Sequence, residues 1–192
     1  MLIKIDEFEQ AVKGLNVQRK IKLIQNHHTY KPGYHDFTGS NHADLIAVMR
    51  YYHVTINKWN DIAQHITTFP DGKIAIGNPD GRSFDTDPAG IRGANGGAIC
   101  IEHVGNFDDG NDEMNDDHKI TILKMNKILS DIFKLPLDTN HFVYHHWYDM
   151  DSGVRTGGTG NTKSCPGTNW FSGNSEDDAK VFLQLIGAKF DA

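Results

Sequence analysis

Apolar and polar residues alternate through Ile21–Asn26, a two-residue period that predicts a strand running into His27-His28-Thr29. Ala98–Val104 is the most apolar strand candidate in the chain. Ile62–Thr68 and Lys73–Gly77 are two short runs joined by Phe69-Pro70-Asp71-Gly72, which predicts a hairpin. His141–His145 predicts one more short strand. Helical spacing appears first in Leu2, Ile5, Phe8, Val12 and Leu15. It recurs in Leu45, Ile46, Val48, Met49 and Tyr52, with Asn41 or Asp44 near the start. The strongest helical pattern runs from Ile120 to Phe133, with Pro136 as its expected stop. Ser175-Glu176-Asp177-Asp178 has the form of a capping box opening a last helix through Ile186, with Gly187 expected to end it. The intervening stretches 78–97, 106–117 and 153–173 are rich in Gly, Asp and Asn and read as loops. This mixed order predicts a single α/β domain with a central mixed sheet flanked by helices.

Composition narrows the partners. The 192 residues carry 19 Lys and Arg against 25 Asp and Glu, a net charge of −6. That balance argues against recognition of nucleic acid by bulk charge. No apolar run approaches the ~20 residues needed to cross a bilayer, so no membrane insertion is expected. The acidic start, Met1–Glu9, lacks the basic head and apolar run of a signal peptide. Two cysteines, Cys100 and Cys165, do not make a disulfide scaffold. Histidine, with 11 copies, is the outlier.

Three clusters at or beyond strand ends hold the candidate chemistry: His27-His28, His145-His146 and Lys163-Ser164-Cys165-Pro166-Gly167. Two imidazoles and a thiolate form a three-ligand set for zinc, leaving a fourth position for water. A metal site at one rim of the sheet is therefore expected. Because side chains alternate along a strand, only one of each histidine pair can face it. Glu102 lies in the apolar strand on the face of Cys100 and Val104, where an unpaired carboxylate is costly.

In order, several strings resemble the type 2 N-acetylmuramoyl-L-alanine amidases, zinc enzymes that include phage lysins and are related to peptidoglycan recognition proteins. These are Ile24-Gln-Asn-His-His-Thr29, Asp61-Ile-Ala-Gln-His-Ile66 with Asp71-Gly-Lys-Ile74, Ile99-Cys-Ile-Glu-His-Val-Gly-Asn106, Val143-Tyr-His-His146 and Lys163-Ser-Cys-Pro-Gly167. Gly77–Arg82 is similar to the family's Gly-Arg segment with four residues inserted. The matches run from about Ile21 to the last helix.

The resemblance implies hydrolysis of the amide between muramic acid and L-alanine in bacterial peptidoglycan. It implies zinc ligands His27, His145 and Cys165, leaving His28 and His146 as neighbours. It implies Glu102 as the base and Lys163 as the group that steadies the oxyanion. Two departures stand out. Gln64 occupies a position where many members carry tyrosine, and the segment from His145 to Cys165 is longer than usual. Trp147 and Tyr148 in that segment are expected either to wall a substrate groove or to sit in a mobile loop of no special role.

One amidase domain is expected over residues 1–192, with 1–20 as a helical N-terminal extension and no wall-binding domain. Synthesis in the cytoplasm followed by action on the wall, as for a phage or prophage endolysin, is the expected setting; part of a longer exported protein is the other. Two rival readings stay open: a non-cutting peptidoglycan-binding module, and a cysteine hydrolase with Cys165 as nucleophile and His145 as base.

Overall fold

The most apolar run of the chain is the middle of the sheet. In the computed structural model, which describes residues 1–190, Ala98–His103 forms a strand buried on both faces and flanked by parallel partners. The elements, in chain order, are β1 (Leu2–Ile3), α1 (Ile5–Gly14), β2 (Leu23–His28), α2 (His42–Tyr51), β3 (Ile66–Thr68), β4 (Ile74–Ile76), β5 (Ala98–His103), α3 (Asp116–Phe133), β6 (Phe142–Tyr144) and α4 (Glu176–Phe190). The six strands form one mixed sheet in the order β1-β4-β3-β5-β2-β6. β3, β5, β2 and β6 run parallel, and β4 and β1 add an antiparallel edge. The fold class is thus the expected α/β sheet with helices on its faces.

Period-two alternation sends neighbouring residues of β2 and β5 to opposite sides. Ile24, Ile99 and Ile101 join Leu123 and Leu129 of α3 and Phe182 and Ile186 of α4 in the main core. A smaller core on the other side joins Leu45, Ile46 and Met49 of α2 to Ile62, Phe69, Ala75 and Val104. α1 buries Phe8 and Val12 in the main core, and β1 pairs with β4.

The main core also holds a polar chain. Tyr34 Oη bonds His118 Nδ1 at 2.8 Å, and His118 Nε2 bonds Thr68 Oγ1 at 2.6 Å. Thr68 Oγ1 meets His103 Nδ1 at 2.7 Å, and His103 Nε2 meets Asn26 Oδ1 at 3.1 Å. Asn126 of α3 closes the chain by pairing with Asn26. Each buried polar group is thereby satisfied, which avoids a desolvation cost of about 1–3 kcal/mol apiece.

Several boundaries differ from expectation. Leu2–Ile3 pair with β4, so the first helix starts at Ile5 and not at residue 1, and the strand expected over Ile62–Thr68 is confined to Ile66–Thr68. α3 ends at Phe133, ahead of Pro136, because Lys134 turns left-handed (φ 54°) and Leu135 N–H bonds back to Ser130 O. α4 continues through Gly187 to Phe190 instead of stopping. A single interior glycine costs a helix only about 1 kcal/mol. The strand expected to reach His145 ends at Tyr144, and His145–Trp147 forms a 3-10 turn.

Candidate metal centre and groove

The parallel strands β5, β2 and β6 end on the same rim, and the loops after them carry the candidate residues, the usual location of sites in open α/β sheets. β2 delivers His27, which stands opposite Glu102 of β5 in the ladder. β6 ends immediately before His145. Cys165 arrives on the 149–174 loop, which is tied down at several points. Ser164 Oγ bonds Asp108 Oδ2 at 2.8 Å, Asn174 Nδ2 donates to Ser164 O at 2.7 Å, and His146 N–H donates to Cys165 O at 2.8 Å. Gly167 has φ 126°, and a Cβ there would lie 2.3 Å from Phe107 O, so the turn after Cys165 requires glycine.

These segments bring one ligand atom each from His27, His145 and Cys165 within 4.8 Å of one another. His27 Nδ1 lies 3.3 Å from Cys165 Sγ, and the His27 and His145 rings meet edge-on at 5.2 Å. Zinc bonded at about 2.0–2.3 Å to tetrahedral N and S donors places neighbouring donors roughly 3.5 Å apart, so the trio fits such an ion. The adjacent histidines are engaged elsewhere: His28 Nδ1 accepts from Phe107 N–H at 3.1 Å, and His146 Nδ1 donates to Lys163 O at 2.7 Å.

Burial, reinforced by nearby His145, holds His27 well below the ordinary imidazole range, and burial with Lys163 lowers His145 to about 4. Both rings are therefore neutral at pH 7 and keep a lone pair for a metal. Burial, then the charge of Glu102, pushes the Cys165 thiol well above its usual range. A cation would be needed to hold it as thiolate. Burial raises Glu102 to about 8, opposed by Lys163, and Glu102 Oε2 is shut off from solvent with no hydrogen-bond partner.

The cluster opens into a groove of about 1500 Å³. Glu102 and Lys163 both line it, Lys163 as an exposed side chain. Opposite the Cys165 loop, the wall comes from the end of α2 and the π-helical turn Tyr52–Ile56, with Val48, Tyr52, His53 and Trp59 lining the groove. This wall was not anticipated: the helical pattern breaks at Tyr52, and the π turn continues it with different spacing. Trp147 and Tyr148 do not line the groove. Trp147 is fully buried, donates to Asn174 O at 2.7 Å and lies under Arg155 at 4.8 Å, while a Tyr148–Arg155 bridge folds the loop back. They pack the loop base, and Met150 reaches the groove instead.

The sequence profile of the N-acetylmuramoyl-L-alanine amidases matches residues 17–168. The chain belongs to that family. No curated protein matches it. Solved structures share the amidase fold. The endolysin N-acetylmuramoyl-L-alanine amidase LysCS from Clostridium intestinale URNW is 18% identical with a TM-score of 0.55, covering 88% of this chain and 86% of its own. Drosophila PGRP-LB is 17% identical with a TM-score of 0.60, covering 81% and 80%. The ectodomain complex of peptidoglycan recognition proteins LCa and LCx, solved with bound tracheal cytotoxin, is 21% identical with a TM-score of 0.51, covering 62% and 67%. At such identities the likeness is one of fold.

Proposed function

We propose that this amidase-family chain is a zinc-dependent hydrolase of bacterial peptidoglycan, cutting the amide between N-acetylmuramic acid and L-alanine in a lytic, phage or prophage setting. The observation that carries this reading is the meeting of His27, His145 and Cys165 ligand atoms within 4.8 Å, beside the orphaned Glu102 carboxyl, in an open groove. Family membership supports the substrate class.

His27, His145 and Cys165 would hold the ion. Bound zinc supplies a Lewis acid for the amide carbonyl and brings the pKa of water down to ≈ 7. Glu102 takes the proton of the attacking water and returns it to the leaving L-alanine nitrogen, a role suited to a carboxyl whose pKa lies near neutrality. Lys163 presents its ammonium to the oxyanion that develops on the carbonyl oxygen. The long groove receives the glycan and peptide on either side of the scissile bond. The depressed acidity of Cys165 argues against a nucleophilic thiolate. Among the described residues no helix is long and apolar enough to cross a membrane.

Digestion of purified peptidoglycan followed by mass analysis tests the proposal. Intact peptide stems with new L-alanine amino termini and an uncut glycan are expected. New reducing sugar ends would identify a glycosidase, and binding without any cleavage would identify a recognition module.

A further inference from the structure

We infer that Gln25, anchored by Asn95 and roofed by Gly90, is a positioning residue that holds His27 as the Nε2–H tautomer and so aims its Nδ1 lone pair into the His27–His145–Cys165 cluster. The inference rests on the proposed metal centre and adds to it a part that the family resemblance does not supply.

The direction of every hydrogen bond follows from groups whose polarity is fixed. Backbone N–H groups can only donate. Those of Gly90 and Ile91 point at one side-chain atom of Asn95, at 3.1 and 2.9 Å, so that atom is the oxygen Oδ1. The Gln25 amide meets this oxygen at 3.3 Å and the carbonyl oxygen of Ala94 at 2.9 Å. Two acceptors require the NH2 group there, which turns Gln25 Oε1 the other way, to within 3.4 Å of His27 Nε2. An amide oxygen can only accept, so His27 Nε2 carries the proton. Nδ1 is then left with a free lone pair, and it is Nδ1 that lies 3.3 Å from Cys165 Sγ.

The chain backbone closes over this contact. A Cβ on Gly90 would lie 2.3 Å from Gln25 Oε1, 2.8 Å from Cys100 Sγ and 3.0 Å from His27 Nε2. Only glycine leaves room for the amide and the ring to meet. Gln25 and His27 are buried, so the bond between them is shielded from bulk water, while Asn95 at the other end is half-buried. The spacing also has a simple origin: Gln25 and His27 are two apart on β2 and share a face. Groups that orient a metal-binding imidazole through its far nitrogen typically contribute 10–100-fold to metal affinity.

Nitrogen-15 NMR of the metal-free protein, with thermal unfolding and zinc competition against a chromogenic chelator, tests the inference. His27 should show a protonated Nε2 and a bare Nδ1 before any metal is added. Gln25→Leu should weaken zinc 10–100-fold even when its melting temperature falls, whereas Gln25→Glu, whose protonated carboxyl can accept from His27 and donate to Ala94 O, should retain near wild-type affinity. Should Gln25→Leu fold poorly, Gly90→Ala provides the second variant, with the same predicted loss of zinc. A protonated Nδ1 in the wild type, or equal zinc affinity in Gln25→Leu and wild type, would overturn the inference. Absence of zinc binding in the wild type would refute the proposed metal centre instead, while the tautomer would still be read from the metal-free spectrum.

Discussion

His27 and Glu102 stand directly opposite each other across the β2–β5 ladder, so the spacing between the proposed ligand and the proposed base is set by the sheet and not by a loop. Backbone pairing on both sides of β5 makes this the stiffest part of the site. Lys163, by contrast, comes from the Cys165 loop, with its side chain exposed.

Glu102→Gln keeps shape and removes the proton acceptor. Turnover should fall by about 10²–10⁴-fold. Because Glu102 Oε2 lacks a partner, the neutral amide should leave the melting temperature equal or higher. Peptidoglycan cleavage and thermal unfolding on one preparation check both halves. A destabilised variant with normal turnover would assign Glu102 to the core.

Lys163→Met keeps the stem and deletes the charge. A loss of roughly 10²–10³ in turnover is expected, with zinc content unchanged. Zinc analysis beside the rate measurement separates this from damage to the ligand cluster.

Cys165→Asp should keep part of the zinc and part of the activity, since a carboxylate oxygen can replace sulfur at about 2.0–2.2 Å from the ion. Cys165→Ala should lose most of both. Metal analysis reads the split, and equal loss of activity with zinc retained in both would revive the cysteine-hydrolase reading.

Acid should destabilise the fold through its buried histidines. Burial lowers His118 to about 3 and His65 to about 4, whereas in the unfolded chain both return to about 6.5. Above pH 6.5 neither state is protonated, and the folded chain keeps its full stability. Between 6.5 and about 4 the unfolded chain takes up protons that the folded one refuses, so stability falls by about 1.4 kcal/mol per pH unit for each histidine. Urea midpoints from pH 8 to 4 should hold level and then drop. A flat profile would contradict the burial described for these rings.

Much of this was legible in the chain. The central strands, the four α-helices and the hairpin follow from periodicity, and the order of local strings led to the family. Trp147 shows where that reading stopped. A tryptophan in a glycine-rich loop looks available to a ligand, yet the fold of the 149–163 segment back onto Tyr148 buries it, and no local pattern reports such a return. The Tyr52–Ile56 wall was hidden for another reason: a π turn breaks the 3.6-residue spacing by which helices are recognised. Gln25 was open to discovery, since it lies one period of the strand before His27. What the sequence did not contain was the arrival of Asn95 and Gly90 beside it.

His27 and Cys165 are separated by 138 positions in the chain. During synthesis the first of them leaves the ribosome long before the last exists. Any fragment that stops short of the Lys163–Gly167 turn has at most two of the three donors and no closed groove. The proposed metal centre is in this way incomplete until the chain has been made as far as Cys165.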